Sequence, residues 1–458
     1  MVGWLSNTFK YDSGEGNGIM AAGTQVRASG TGQNNGEERA GRIFAAMKGF
    51  HYGWLIVAAG CLCIFACLGL GRFTLGMLLP AMGESLRLSY SQMGLIGTCN
   101  FCGYLVAVLG CSRLLAVVGA RNLIALSLLL ISLSAAMIGL ARELATVTVL
   151  YTLTGIGSGV ANVSMMGLVT AWFGSSLRGR AAGFVVIGSG FAILLSGQVI
   201  PLLNGLRPEG WRLSWFVLAG AVLAVAVICR LVLRNRPQDL GLAPVGENRA
   251  PAQTSPQAVF RPMNRRVILH CGLIYFLFGF TYVIYATFIV TVLVKEYGFS
   301  EEAAGGFWSW VGLLSLFSGP VFGTLSDRLG RKAGLMSVFA IQTLSYLLVG
   351  LKLQGAALFL SIGCFGLVAW SIPSIMIALV GDLVGAQNTV KAFGLITFIF
   401  GIGQILGPYV AGLLAESAGD FSGAFLLAAA MTALAIFISA RLGGASPFQG
   451  QGAEAREP

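Results

Sequence analysis

The sequence predicts an all-α integral membrane protein with twelve transmembrane helices in two pseudo-symmetric six-helix bundles. Three observations predict it. Apolar residues make up 56% of the 458 and charged residues 10%, against about 25% charged in a soluble domain. Twelve apolar runs lie between Tyr52 and Leu442, each near the roughly 20 residues a helix needs to cross the hydrocarbon. Six runs fall on each side of a polar stretch, and an internal repeat relates the two sets. The first observation excludes a soluble fold and a disordered chain. The second excludes a β-barrel, whose strands need only about 9–11 residues.

The runs span 52–80, 91–112, 121–141, 145–173, 180–203 and 212–233, then 267–294, 303–325, 333–352, 356–381, 391–414 and 421–442. Many of the 64 glycines recur within them at small-x-x-small spacing, which lets membrane helices approach closely. Ahead of the first run, residues 1–50 form a Gly, Ser and Asn-rich tail with no apolar signal segment; the composition predicts a disordered cytoplasmic tail. The abrupt change at Met47 (MKGFHYGWLIV) raises the further expectation that natural translation starts there. The expected domains are a first bundle at 51–233, a solvated Pro-rich basic linker at 234–266, a second bundle at 267–442 and a cytoplasmic tail at 443–458.

A shift of 211 residues aligns the two sets without a gap over much of their length. Ser89 then meets Ser300, Gly94 meets Gly305, Gly119 meets Gly330, Arg121 meets Lys332, and Arg180-Ala181-Ala182-Gly183 meets Lys391-Ala392-Phe393-Gly394. Identities come easily in a Gly, Leu and Ala-rich chain; basic and glycine positions coinciding at two separate connectors do not. Two parallel six-helix halves imply a transporter with its substrate site at their interface near the midplane.

Topology follows from charge. With the N-terminus inside, 22 of the 29 basic residues fall on the cytoplasmic side, while Arg87, Arg142, Arg207, Arg212, Lys295 and Lys352 fall outside. The positive-inside rule therefore places both termini in the cytoplasm. The net charge of +11 needs no nucleic-acid partner, because the excess lies in the loops this rule enriches. All nine cysteines lie inside predicted spans, and His51 and His270 are the only histidines, so the sequence predicts no metal site. No nucleotide-binding loop is present. Neither a cofactor nor enzymatic activity is expected, and the chain reads as a monomer with a small-molecule substrate.

The connector after the eighth run reads Gly323-Thr-Leu-Ser-Asp327-Arg328-Leu-Gly330-Arg331-Lys332. It resembles the G-x-x-x-D-R-x-G-x-R/K signature of the major facilitator superfamily, and with the spans and the repeat the resemblance covers about residues 50–442. It implies a conformational latch that closes the cytoplasmic side, with Asp327 facing the positive N-terminal end of the eleventh helix near Lys391. The matching first-half connector has Ala116 at the acidic position, so that latch is degenerate. In the fourth run Tyr151, ahead of Gly155, Gly157 and Gly159, stands where the family often carries an arginine, which puts a proton relay there in doubt. The eleventh run carries Gly394, Gly403, Gly407-Pro408 and Ala411-Gly412. This resembles the family's antiporter motif, normally in the fifth span, and implies close packing and a kink.

Arg72, in GLGRFTLGMLLP, is the one basic residue well inside a span, and no Asp or Glu lies mid-span. An arginine there costs about 2.5–3.5 kcal/mol on insertion scales. It either binds a carboxylate through a bidentate pair or snorkels to the surface near Pro80. Expected cavity partners, from spans that line the passage in the family, are Asn162, Tyr282, Tyr285, Trp370 and Ser374. Tyr282 and Tyr285 lie three apart on one helical face and bracket Val283, the repeat counterpart of Arg72. Asn100, Gln198 and Gln404 read either as cavity residues or as interhelical hydrogen bonds. His270 reads as interfacial beside Arg265 and Arg266. The sequence around Arg72 and Tyr282-Val-Ile-Tyr285 resembles the YbfB-like bacterial branch, and more distantly monocarboxylate and oxalate/formate carriers. That implies a carrier in the bacterial inner membrane that moves a small organic anion by alternating access, with a proton or a counter-substrate as partner. Multidrug efflux and a non-transporting sensor with a transporter fold remain the alternatives.

Overall fold

The structure, a computed structural model, describes residues 51–246 and 265–442. The expected tails, the Met47 start and residues 247–264 of the expected linker lie outside the described residues.

Twelve helices are long and apolar enough to cross a bilayer. The first six are α1 Tyr52–Ser85, α2 Tyr90–Val118, α3 Ala120–Leu140, α4 Leu144–Trp172, α5 Ser175–Gly205 and α6 Gly210–Val232. The last six are α7 Arg265–Lys295, α8 Glu301–Leu329, α9 Arg331–Gly350, α10 Ala356–Val384, α11 Ala386–Ala418 and α12 Ser422–Ala440. We call the face where α1 begins and α12 ends the near face, and the opposite one the far face.

The repeat is legible in backbone chemistry. Ser89 accepts the Gln92 N–H at the start of α2, and Ser300 accepts the Ala303 N–H at the start of α8, so equivalent serines satisfy equivalent orphan donors. Gly119 and Gly330 end the same helices at φ 76° and 93°, values a residue with a Cβ rarely adopts. This is why α2 continues past the expected end at 112: the stop is set by the glycine, not by the end of the apolar run.

Across the two bundles α2 lies on α11 and α5 lies on α8. A Cβ on Gly94 would overlap the Pro408 carbonyl oxygen, and one on Gly305 would overlap the Gly197 carbonyl. Under the repeat these two contacts are the same contact. Toward the near face the same four helices carry Gly110, Gly183, Gly323 and Gly394, where an added Cβ would meet nothing within 4 Å. Toward the far face the halves are tied by Lys295 to Glu84 at 2.8 Å, by the Ser91 N–H to Glu416 at 3.2 Å, and by Asn204 to Glu301 at 2.7 Å.

Two helices depart from regular winding. Residues Phe65–Phe73 of α1 wind as a π-helix, and α10 is interrupted at Ala369–Trp370, where the Trp370 N–H turns to the Ser318 hydroxyl at 2.8 Å. Irregular backbone at membrane depth is tolerated where it is buried in protein or lines a cavity. The first part of the linker is not free in solvent as expected: Val245 pairs with Trp172 and Gly174 at 2.9 Å each, and His51 Nε2 reaches the Ala243 carbonyl at 3.0 Å.

Candidate functional site

Arg72 sits at the C-terminal end of the π-helical segment and is 8% exposed. It does not snorkel. Its guanidinium carbon lies 4.5 Å from the ring centroid of Phe101 and 4.1 Å from that of Tyr104, both on α2 and three residues apart, so one helical face presents two rings to the cation. Nε and Nη2 are buried without a hydrogen-bond partner. Aromatic faces offset part of the cost of burying the charge, but they accept no directed N–H bond, and two prongs of the fork stay unsatisfied.

Around this cation the structure gathers several polar side chains on aromatic supports. Asn162 on α4 donates to the Tyr104 hydroxyl at 2.8 Å. Gln404 on α11 donates to the Tyr282 hydroxyl at 2.5 Å. The Tyr282 ring stacks with Phe278 and Phe400 and meets Trp370 edge-on, and Trp370 in turn contacts Phe73 across the two bundles at 5.0 Å. The Trp370 Nε1–H is a third buried donor without a partner at this site. A small cavity beside Arg72, lined also by Phe73, Asn100, Tyr151, Val283 and Thr287, has room for about one water.

Arg72, Asn162, Tyr282 and Trp370 are thus brought together, whereas Tyr285 and Ser374 are not. Tyr285 turns into the second bundle, stacking on Phe365 at 4.0 Å and bonding to Ser361 at 3.1 Å; three residues along α7 is enough to separate its surroundings from those of Tyr282. Ser374 is exposed beside Gly319 of α8. Of the three ambiguous amides, each makes an interhelical bond: Asn100 to the Tyr151 carbonyl at 2.9 Å, Gln198 to Ser309 at 2.8 Å, and Gln404 to Tyr282. His270 bonds the Ile438 carbonyl at 2.9 Å near the near face.

The signature connector corrects an expectation. Asp327 pairs with Arg331, which also binds Asp382 at 3.0 Å and Ser326 at 2.9 Å. The helix that carries Asp327 packs on α5, and α11 is the partner of α2, so the approach of Asp327 to Lys391 is replaced by a cluster within one bundle. Arg328 and Lys332 are exposed, and Gly323 faces open space. On α11, Gly403 and Gly407 pack against α7 at Phe276 and Phe280, and Pro408 packs against α2. Gly394 packs on nothing.

Sequence reasoning did not single out Phe101, Tyr104 or the role of Tyr151. An aromatic pair at i, i+3 in a neighbouring span is a weak signal alone. Beside a lone intramembrane cation it is the pattern to look for.

Residues 63–440 match the family described as "Uncharacterised MFS-type transporter YbfB". The hexuronate transporter of Bacillus subtilis is 24% identical over 81% of this chain and 89% of its own length. Monocarboxylate transporter 11 of Mus musculus is 27% identical over 86% of this chain and 88% of its own. Among solved structures, that of a D-xylose-proton symporter superposes with a TM-score of 0.66 at 15% identity, covering 85% of this chain and 97% of that one, a likeness of fold.

Proposed function

This chain belongs to the family of MFS-type transporters described by YbfB, multi-pass membrane proteins that move small solutes, and from that premise we propose that it carries a small organic monocarboxylate by alternating access. One observation carries the reading: a buried arginine, held between two aromatic rings at membrane depth, with two N–H groups unsatisfied. A carboxylate matches that need, because it neutralises the charge and accepts two parallel bonds from the fork. No second basic residue lies deep in a span, which favours one negative charge over two. The walls are Phe73, Phe101, Tyr104, Tyr282 and Trp370, and their hydroxyls are already engaged by Asn162 and Gln404; this favours an apolar or aromatic body over a polyhydroxylated one. The free Trp370 Nε1–H is a donor for a further acceptor on the substrate.

Placed by the positive-inside rule, both termini are cytoplasmic and the near face is inside. The form described here is then closed outward and parted inward. Transport alternates it with one in which the α2–α11 and α5–α8 contacts shift from the far half to the near half. The relatives' substrates, hexuronate and monocarboxylate, are both organic carboxylates by name, which supports the class and leaves the member to experiment.

The test is uptake by purified protein in liposomes of radiolabelled lactate, benzoate and glucuronate, against the cationic dye ethidium, for wild type and Arg72→Ala. Saturable lactate or benzoate flux lost in the variant is expected. Carboxylate flux indifferent to Arg72, or ethidium flux alone, would overturn the reading.

A further inference from the structure

We propose that Tyr151 is a positioning residue: through the Arg72 backbone carbonyl it holds the π-helical register of α1, and that register aims the guanidinium. The inference rests on the anion-carrier reading and adds what sets the cation's geometry.

The argument starts from helix winding. An α-helix turns about 100° per residue, and a π-helix inserts residues relative to it. If Phe65–Phe73 rewound as α-helix, every side chain downstream of the insertion would swing around the axis, by about 100° for each residue of register lost. Arg72 is the penultimate residue of the segment, so the swing would carry its guanidinium away from Phe101 and Tyr104. A π-helix is rare and needs outside support. At its far end the Thr74 N–H reaches back five residues to the Gly69 carbonyl at 3.2 Å, and the Thr74 hydroxyl meets the same oxygen at 3.1 Å.

Support from outside α1 comes from α4. The Tyr151 hydroxyl donates to the Arg72 carbonyl at 3.0 Å. One π-turn earlier the Ser158 hydroxyl lies 2.7 Å from the Cys67 carbonyl and 2.8 Å from its own Thr154 carbonyl, sharing its single proton between them. Tyr151 is 1% exposed, its ring set edge-on to Trp215 and its own carbonyl held by Asn100, so the hydroxyl cannot easily leave. At Gly69 the segment has no room for a side chain, since a Cβ would overlap that of Ala192 on α5. The segment is therefore gripped at Arg72, at Cys67 and at Gly69. Of these contacts, that of Tyr151 lies on the residue whose side chain binds.

The experiment compares wild type, Tyr151→Phe and Arg72→Lys with Tyr151→Phe/Arg72→Lys in liposomes, using benzoate and its tetrahedral analogue benzenesulfonate as probes. Tyr151→Phe keeps the ring and removes only the donated bond. It should raise the half-saturating benzoate concentration tenfold or more while the maximal rate stays within about twofold, and it should erode the preference for the planar carboxylate, which depends on an aligned fork. In the Arg72→Lys background the same change should leave the carboxylate-over-sulfonate preference unaltered, because lysine carries no planar fork to align. An unchanged half-saturation and preference in Tyr151→Phe, or an equal loss of preference in both backgrounds, would overturn the proposal. Should Tyr151→Phe fail to fold, Ser158→Ala is judged by the same readouts. Wild type that moves no carboxylate would instead sink the anion-carrier reading itself.

Discussion

Gly94 and Gly305 occupy equivalent places in the two helix pairs that join the bundles toward the far face. A Cβ at Gly94 would overlap the Pro408 carbonyl oxygen and stand 3.1 Å from its carbon and 3.4 Å from the Gly412 Cα. At Gly305 it would overlap the Gly197 carbonyl oxygen and stand 2.7 Å from the Pro201 ring. These neighbours are mostly backbone, which yields only by moving a helix. Overpacking of this kind costs about 1–3 kcal/mol, and here the cost falls on the far-closed form alone, because the contact is absent once the pairs part. Gly94→Ala and Gly305→Ala should each shift the equilibrium toward the far-open form by about 5- to 150-fold. Met93, 3% exposed at the far mouth, reports it: Met93→Cys should react with a membrane-impermeant maleimide at least fivefold faster in either variant, measured against the parent without that cysteine. Gly110→Ala and Gly394→Ala, whose added Cβ meets nothing within 4 Å, are the controls and should leave the rate alone. A Gly94→Ala protein labelled no faster than wild type, or a Gly110→Ala protein labelled as fast as Gly94→Ala, would refute the idea that far closure rests on these backbone contacts.

Other outcomes follow from single contacts. Lys295→Ala, which frees Glu84 at the far mouth, should speed Met93→Cys labelling in low salt and less so in high salt, since exposed ion pairs are screened. Tyr285→Phe loses one buried bond to Ser361 and should cost about 0.5–1.5 kcal/mol in stability, seen as a lower melting temperature with unchanged half-saturation for benzoate. Arg72→Lys keeps the charge but not the fork, and should weaken benzoate binding while leaving the melting temperature near that of wild type. The Lys352 ammonium beside Asp420, in the loop before α12, holds that carboxyl below its ordinary range. The folded form thus binds fewer protons than the unfolded one, so this small contribution is present above about pH 4 and fades as pH falls through the lowered value. Asp420→Asn should flatten that part of the melting-temperature profile between pH 5 and 3.

Much of the fold was legible because it depends on local chain chemistry. Apolar run length marks the spans, Ser89 and Ser300 mark helix starts, and Gly119 and Gly330 mark stops, each without reference to a distant residue. The π-helix of α1 was not legible. Phe65–Phe73 reads as ordinary apolar helix, and its winding depends on Tyr151, Ser158 and Ala192, which lie 79 to 123 residues away in sequence from the groups they touch. The same holds for the separation of Tyr282 from Tyr285: both sit on α7 three apart, and only the neighbours α11 and α10 assign one to the cation and the other to the bundle interior. Asp327 was misplaced for a related reason. Its charge and the turn were correct, but the helix pairing that decides what it faces is a property of the assembled bundles.

The repeat also locates the site by where it fails. Residues that shape the scaffold keep their kind across the 211-residue shift: serine caps, the glycines that end α2 and α8, the close contacts at Gly94 and Gly305. Residues around the cation do not. Arg72 corresponds to Val283, Tyr151 to Ile362, Tyr282 to Gly71, Trp370 to Gly159 and Gln404 to Ile193. A rocking mechanism needs two halves that make equivalent contacts in alternation, which maintains symmetry in packing residues. A single small anion needs one cation, one donor set and one wall, and placing them on both halves would bury a second charge with nothing to neutralise it. The scaffold is therefore twofold and the chemistry single, and a pseudo-symmetric position where one half carries arginine and the other valine is where the two requirements meet.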